Sequence, residues 1–67
     1  MKTGDLFKIK DTKNWDKYTK IIDWFQNGYY TKNKNKIGLF LSRQGNCVWC
    51  FFNGNRKDLS ISMIEKL

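Results

Sequence analysis

The fold is decided by residues 36–67, whose sequence is KIGLFLSRQGNCVWCFFNGNRKDLSISMIEKL. The stretch contains three apolar runs of strand length, and each of the two polar clusters between them holds a glycine next to an asparagine. Short apolar runs separated by such clusters are typical of strands joined by tight turns. The stretch therefore predicts a β-meander.

The alternation of side chains predicts which strand faces are buried. In the first strand of the meander, Ile37, Leu39 and Leu41 share one face. The middle strand, Cys47–Phe52, is apolar on both faces, which is typical of a central strand covered on each side. Residues 59–63 alternate apolar residues with serine, which predicts a half-exposed last strand.

The N-terminal half predicts one more strand and a helix. A strand over residues 5–10 would place Phe7 and Ile9 on one face and lysines on the other. A helix over residues 14–26 is favoured by apolar residues at helical spacing: Trp15, Tyr18, Ile22 and Phe25.

The predicted helix has recognisable ends and a predicted polar face. Thr12 or Asn14 could cap its start, and Asn27-Gly28 is a typical stop. The solvated side would carry five charged residues: Lys13, Asp16, Lys17, Lys20 and Asp23. A strand over residues 19–25 is the alternative, since the segment is rich in β-branched and aromatic residues.

Composition and charge limit the range of functions. The 67 residues form one domain, and thirteen Lys and Arg against six Asp and Glu give a net charge of +7. Such a charge attracts nucleic acid, anionic membranes or acidic protein surfaces, although it also serves solubility. No apolar run approaches the roughly 18 residues of a membrane span, so we expect a cytoplasmic protein with no membrane partner.

The order of the motifs resembles small SH3-like barrels. The motifs are Gly4-Asp5-Leu6-Phe7, Gly38-Leu39-Phe40-Leu41, Cys47-Val48-Trp49-Cys50-Phe51-Phe52-Asn53-Gly54, and residues 59–67 with their closing turn. Small proteins of tailed bacteriophages, including those of marine bacteria, share this layout. The resemblance implies a mainly β, small α+β fold: an SH3-like five-stranded barrel with a helix inserted between strands 1 and 2. It also implies a viral source, and hence the host cytoplasm or the virion, but no active site.

The residues that carry most catalytic chemistry are missing. The chain has no histidine, its six carboxylates are scattered, and no glycine-rich phosphate loop occurs. Cys47 and Cys50 would point to opposite faces of a strand, and a metal site would need two more ligands, so we interpret both as buried structural thiols. Redox chemistry and a metal bridged between two chains are the alternatives. We expect no enzyme activity, cofactor, metal or small-molecule substrate.

A basic and aromatic segment is the leading candidate site. Residues 29–36 are interpreted as an exposed loop, and Arg43 and Arg56-Lys57 on the two meander turns could flank the same groove. Exposed rings stack on bases while lysines contact phosphates. The predicted nucleic-acid site, for DNA or RNA, comprises Tyr29, Tyr30, Lys32, Lys34, Lys36, Arg43, Arg56 and Lys57. The alternative is that the tyrosines form the rim of the core and the lysines a solvated surface.

A protein-interaction module is the second hypothesis. Trp24 lies off the helical stripe, so in a helix it would be exposed and would mark a contact surface. The partner would be an acidic host or phage protein, or a virion component. In a strand, Trp24 would instead belong to the core.

Overall fold

The computed structural model describes all residues from 1 to 67. Its elements, in chain order, are β1 (Leu6–Ile9), a 3-10 turn (Thr12–Asn14), α1 (Lys17–Phe25), α2 (Tyr29–Lys32), β2 (Ile37–Gln44), β3 (Cys47–Phe52), β4 (Asn55–Ser60), a second 3-10 turn (Ile61–Met63) and β5 (Ile64–Lys66). None of the helices is long and apolar enough to cross a membrane.

The five strands form one antiparallel sheet in the order β4-β3-β2-β1-β5. The protein is thus a small, mostly β, α+β protein, and the β2–β3–β4 meander is confirmed. β4 and β5 lie at opposite edges, so the sheet is open where a barrel would be closed. The turn between β3 and β4 is formed by Asn53 and Gly54, both with positive φ (55° and 80°), as two-residue hairpin loops require.

One face of the sheet carries the hydrophobic core. Phe7, Phe40, Val48 and Phe52 are among its members, and all are buried. Gly38 lies in the middle of this face, where an added Cβ would collide with three ring atoms of Phe7. The full core consists of Phe7, Ile9, Trp15, Tyr30, Phe40, Val48, Cys50, Phe52, Leu59, Met63 and Ile64.

The opposite face of the sheet is uncovered, contrary to the prediction for β3. Trp49 and Phe51 are 44% and 47% exposed, while Val48, Cys50 and Phe52 on the same strand are buried. The two apolar faces of β3 therefore have different surroundings, because the helices leave the outward face of the sheet free.

The predicted last strand over residues 59–63 is not continuous, and the closing turn predicted after it contains a strand. β4 ends at Ser60, residues 61–63 form the 3-10 turn, and β5 then pairs with β1. The amide of Ile61 donates to the carbonyl of Asn46 (2.9 Å), which turns the chain out of β4. β4 also begins earlier than predicted, so Arg56 and Lys57 lie in a strand and not in a turn. Arg43 likewise lies within β2.

The predicted helix is confirmed, and the alternative strand is wrong. α1 begins later than predicted, because Asp16, not Thr12 or Asn14, accepts a hydrogen bond from the amide of Thr19 (2.9 Å). This bond holds the pKa of the Asp16 carboxyl below its usual value. The predicted stop is correct: Asn27 and Gly28 follow the helix with positive φ.

The buried face of α1 matches the predicted one only in part. Trp15 and Ile22 pack in or against the core, and Lys13, Asp16, Lys17 and Lys20 are exposed, as predicted. The buried residues within α1 itself are Thr19 and Asp23, whereas Tyr18 and Phe25 are 67% and 73% exposed. Asp23, predicted on the solvated side, accepts hydrogen bonds from the amides of Tyr30 and Thr31 (2.9 and 3.1 Å) and from the Thr31 hydroxyl (2.6 Å). These bonds hold Asp23 against α2, while Tyr18 and Phe25 of the predicted stripe stay exposed and Ile22 packs against the core.

The prediction of an exposed loop over residues 29–36 is also wrong for the first half of that segment. Residues 29–32 form α2, and the Tyr30 side chain is completely buried. Its hydroxyl accepts a hydrogen bond from the amide of Ser60 (3.1 Å), which ties α2 to the end of β4. Asp23 and Ser60 thus supply polar partners that make burial of Tyr30 favourable.

Candidate nucleic-acid interface

The outward face of the sheet is a strip of apolar side chains on β1, β2 and β3. Strand pairing aligns Leu6, Leu39 and Phe51 in one row across the three strands. Trp49 lies one row further along β3, opposite Ser42. We call this surface the sheet face; it consists of Leu6, Ile37, Leu39, Leu41, Trp49 and Phe51, all exposed or half-buried. A contiguous exposed apolar patch commonly marks a binding surface.

Two aromatic rings and one arginine give the sheet face its chemistry. Trp49 and Phe51 are two residues apart on one strand, so their attachment points are separated by about 6.8 Å. Arg56 is the cross-strand partner of Phe51, and with Trp49, Leu41 and Ser42 it lines a shallow cavity of about 310 Å³. Each ring can stack on a separate base, and the guanidinium can contact a phosphate or a base plane.

A pocket rich in lysine lies at one end of the sheet face. Its volume is about 360 Å³, and four of its nine lining residues are lysines: Lys8, Lys10, Lys34 and Lys36. We call it the basic pocket. The end of β1 supplies the first two lysines, and the turn before β2 supplies the other two.

Few negative charges balance the basic pocket. Its one carboxylate, Asp11, lies 3.9 Å from the ammonium of Lys13, and Lys8 lies 3.7 Å from Glu65. No carboxylate lies within ion-pair distance of the three other pocket lysines: Lys10, Lys34 and Lys36. The pocket is therefore suited to an anion.

The sheet face and the basic pocket form one continuous surface. Lys8 and Ile37 are partners across β1 and β2, and both line the pocket. The Leu6–Leu39 pair is the next outward-facing row of the same two strands. A ligand on Trp49 and Phe51 can thus extend over this row to the lysines.

The residues of the predicted nucleic-acid site do not lie together in the structure. Lys34 and Lys36 lie in the basic pocket together with Lys8 and Lys10, which the sequence interpretation had not included. The alternation of lysines with apolar residues near β1 could have indicated that Lys8 and Lys10 are exposed. Only the pairing of β1 with β2 shows that they lie next to the turn that carries Lys34 and Lys36. Lys32 is exposed on α2 and does not line the pocket.

The two tyrosines belong to the protein interior and its rim. Tyr30 is fully buried, so its ring cannot stack on a base, and we remove it from the site. The half-buried Tyr29 packs against Phe52, and the Lys57 ammonium lies 4.7 Å from the centre of its ring. Burial raises the pKa of both tyrosines. The Tyr29–Lys57 pair therefore lies on the covered side of the sheet, away from Trp49.

Arg43 lies far from the basic pocket. It is six residues along β2 from Ile37, a distance of about 20 Å. Its Nε donates a hydrogen bond to the carbonyl of Gly45 (2.6 Å) in the neighbouring turn. The single groove predicted between the two meander turns and residues 29–36 is therefore not formed.

The cysteines face opposite sides of β3, as predicted. Cys50 is fully buried, and burial raises its pKa to about 11. Cys47 is only half-buried on the other face, contrary to the prediction that both thiols are buried, and its Sγ lies 3.9 Å from the Asp58 carboxylate. The structure contains no cluster of three side chains that could hold a metal ion.

Trp24 lies on a second exposed surface, formed by α1. It is 73% exposed and packs edge-to-face on Phe25, with ring centres 5.2 Å apart. Ile21, Lys17 and Lys20 line a shallow cavity with it. None of these residues lines the basic pocket.

No protein-family model, curated protein or solved structure matches this chain. The function is therefore inferred from the surface chemistry of the molecule itself.

Proposed function

We propose that this protein is a small accessory factor that binds single-stranded nucleic acid without sequence specificity. One observation carries the proposal: the exposed rings of Trp49 and Phe51 on an open sheet face that continues into a pocket of four lysines. The bases would stack on the rings, and the phosphates would contact Arg56 and the lysines.

The same geometry favours single strands over duplexes. A base can stack on Trp49 or Phe51 only when its own face is free, and in a duplex neighbouring base pairs cover that face. Each base–aromatic stack contributes about 1–3 kcal/mol. A duplex would gain the charge attraction to this basic protein without these contacts.

We further propose that the sheet is an open form of the SH3-like barrel. The support is the strand order, in which β5 returns to pair with β1, and the 3-10 turn directly before β5. The resemblance to the barrels of tailed bacteriophages points to the same architecture. In a closed barrel, β4 and β5 would approach each other, whereas here they lie at opposite edges of the sheet. The helices α1 and α2 are inserted between β1 and β2 in the sequence.

A binding titration tests the proposed function. Fluorescently labelled single-stranded DNA, the same sequence as RNA, and the DNA duplex are each titrated with protein at about 50 and 200 mM salt. We expect at least one single strand to bind more tightly than the duplex. Its affinity should fall log-linearly with salt, with a slope of about −0.7 for each phosphate contacted. Absence of binding at low salt, or tighter binding of the duplex, would refute the proposal.

The outward orientation of α1 supports a second function, contact with an acidic protein. Its exposed side carries Tyr18, Ile21, Trp24 and Phe25, while the polar Thr19 and Asp23 are buried. Large exposed aromatic residues are typical anchors of protein interfaces. Lys17 and Lys20 lie beside Trp24, so a host or phage protein with an acidic surface would be attracted to this side.

A pair of tryptophan variants tests this second function. The immobilised protein, its Trp24→Ala variant and its Trp49→Ala variant are compared for capture of one purified acidic candidate partner. We expect Trp24→Ala to lose the partner and Trp49→Ala to keep it. Capture that Trp24→Ala leaves unchanged would exclude α1 as the contact surface.

A further inference from the structure

We propose that the basic pocket receives the terminal phosphate of the bound strand, a phosphate monoester at its 5′ or 3′ end. This inference rests on the proposed single-strand binding, because the pocket is expected to act on a strand already placed on the sheet face. The pocket would then make the protein bind a strand with a terminal phosphate more tightly than a strand of the same sequence without one.

The first argument is the charge of the pocket. Lys10, Lys34 and Lys36 line it without a carboxylate within ion-pair distance, and Lys8 adds a fourth ammonium. Like charges placed around one cavity repel each other, so an anion that enters relieves this repulsion. A phosphate monoester carries about −1.5 to −2 charges at pH 7, whereas a phosphodiester inside a strand carries one. The terminal group therefore gains more from the same lysines.

The second argument is the position of the pocket. β1 ends at Ile9 and β2 begins at Ile37, and both residues line the pocket, so the sheet stops there. Residues 10–12, which follow β1, and residues 34–36, which precede β2, supply the rest of the lining. A nucleic-acid strand that follows the sheet face from Trp49 towards Ile37 reaches the pocket where the pairing of β1 and β2 ends. The pocket is therefore placed to hold the end of the strand.

The third argument is the local order of the lysine-bearing turn. The amide of Lys36 donates to the carbonyl of Asn33 (3.0 Å), and the Asn33 side chain donates to the carbonyl of Tyr29 (2.8 Å). These bonds attach the turn to α2, which is anchored by the buried Tyr30. The backbone that carries Lys34 and Lys36 is thus fixed relative to β1. Thr12 and Asn35 also line the pocket, and both residue types carry side-chain hydrogen-bond donors.

Three labelled strands of one sequence provide the test: one with a 5′-phosphate, one with a 3′-phosphate and one with hydroxyl groups at both ends. The label is attached to an internal base so that both ends are free. At about 100 mM salt we expect one phosphorylated strand to bind about tenfold more tightly than the hydroxyl strand. The full-length protein is used throughout, and affinities are measured by fluorescence anisotropy.

Two charge-matched variants locate the effect. Lys34→Gln with Lys36→Gln removes two positive charges from the pocket, and Lys17→Gln with Lys20→Gln removes two from α1. All four side chains are exposed, so both variants should melt at the temperature of the parent protein. We expect the preference for the phosphorylated strand to disappear only in the pocket variant. If the pocket variant does not fold, Lys10→Gln replaces it.

The outcomes separate this inference from the proposed function. Equal binding of all three strands would overturn the inference and leave single-strand binding intact. A preference that survives the pocket variant, or falls equally in both variants, would also overturn it, because the effect would then come from net charge. If none of the strands binds, the proposed function itself fails.

Discussion

Trp49 provides the sharpest test of how the sheet face works. Replacing it with alanine removes one of the two exposed rings and leaves the net charge unchanged. A base–aromatic stack contributes about 1–3 kcal/mol, so the affinity for a single strand should fall between about fivefold and 150-fold. The lysines of the basic pocket remain, so the salt dependence should keep its slope. Trp49→Phe retains a ring and should keep most of the affinity.

The loss of affinity in Trp49→Ala must be distinguished from a loss of folding stability. The Trp49 side chain is 44% exposed, so only about half of it packs on the sheet. Removing it should cost roughly 1–2 kcal/mol of folding free energy, since full burial of a large apolar side chain contributes about 1.5–3 kcal/mol. Thermal unfolding checks that the variant is folded at the assay temperature.

The assay is fluorescence anisotropy of a labelled single strand at fixed salt, with Trp24→Ala as the matched control. Trp24 is an exposed tryptophan on a different element, so its loss should change the affinity less than twofold. Tryptophan emission gives a second measurement: quenching by the strand should be weaker in Trp49→Phe, since Trp15 is buried. If Trp49→Ala and Trp24→Ala bind equally well, the sheet face is not the stacking surface.

Three further predictions concern the framework that holds the site. Asp23→Ala leaves the amide of Tyr30 without its partner inside the protein and should lower the free energy of unfolding by about 2–3 kcal/mol, measured by urea denaturation. Gly38→Ala should lower it by at least about 2 kcal/mol, and Phe7→Leu in the same chain should restore part of this loss, because the added Cβ meets the Phe7 ring. Burial raises the pKa of Cys50 to about 11, above its unfolded value near 9; its contribution to stability is therefore complete below pH 9 and is lost as the pH rises towards 11. Between pH 8 and 11 the free energy of unfolding, measured by urea denaturation, should decline less in Cys50→Ala than in the parent protein. Equal declines in the two proteins would refute this role of Cys50.

The strands could be predicted from the sequence because their signals are local. Alternation in β1 placed Phe7 and Ile9 on one face, which is the buried one, and the polar cluster that begins at Gly54 identified a turn, which the structure places at Asn53 and Gly54. Both depend on neighbouring residues and on the fixed geometry of a strand. The 3-10 turn at residues 61–63 was missed because it depends on a distant partner, the carbonyl of Asn46.

The orientation of α1 could not be predicted, for a physical reason. Helical periodicity shows which residues share a face, but not which face the core receives. The usual assumption buries the whole apolar stripe; here Trp15 and Ile22 pack in or against the core, but the three hydrogen bonds accepted by Asp23 hold that residue against α2, and Tyr18 and Phe25 are exposed. The basic pocket was only half predicted for a related reason: Lys34 and Lys36 are neighbours in sequence, but Lys8 and Lys10 join them only through the β1–β2 pairing.

The distribution of polarity on the outward side of the sheet argues for a binding role. A uniformly solvated face would carry polar side chains on every strand. The outward positions of the edge strands do, with Arg56 and Asp58 on β4 and Glu65 on β5. The three strands between them carry the apolar sheet face, with Lys8 at its end. Apolar residues at solvated positions add nothing to the core, so their concentration on β1, β2 and β3 is best explained by a ligand that covers them. The cations beside this face, Arg56 next to Phe51 and the lysines of the basic pocket, suit a ligand with an apolar interior and an anionic outline, which describes a single strand of nucleic acid. Asp58 and Glu65 make the other marginal positions unfavourable for a phosphate.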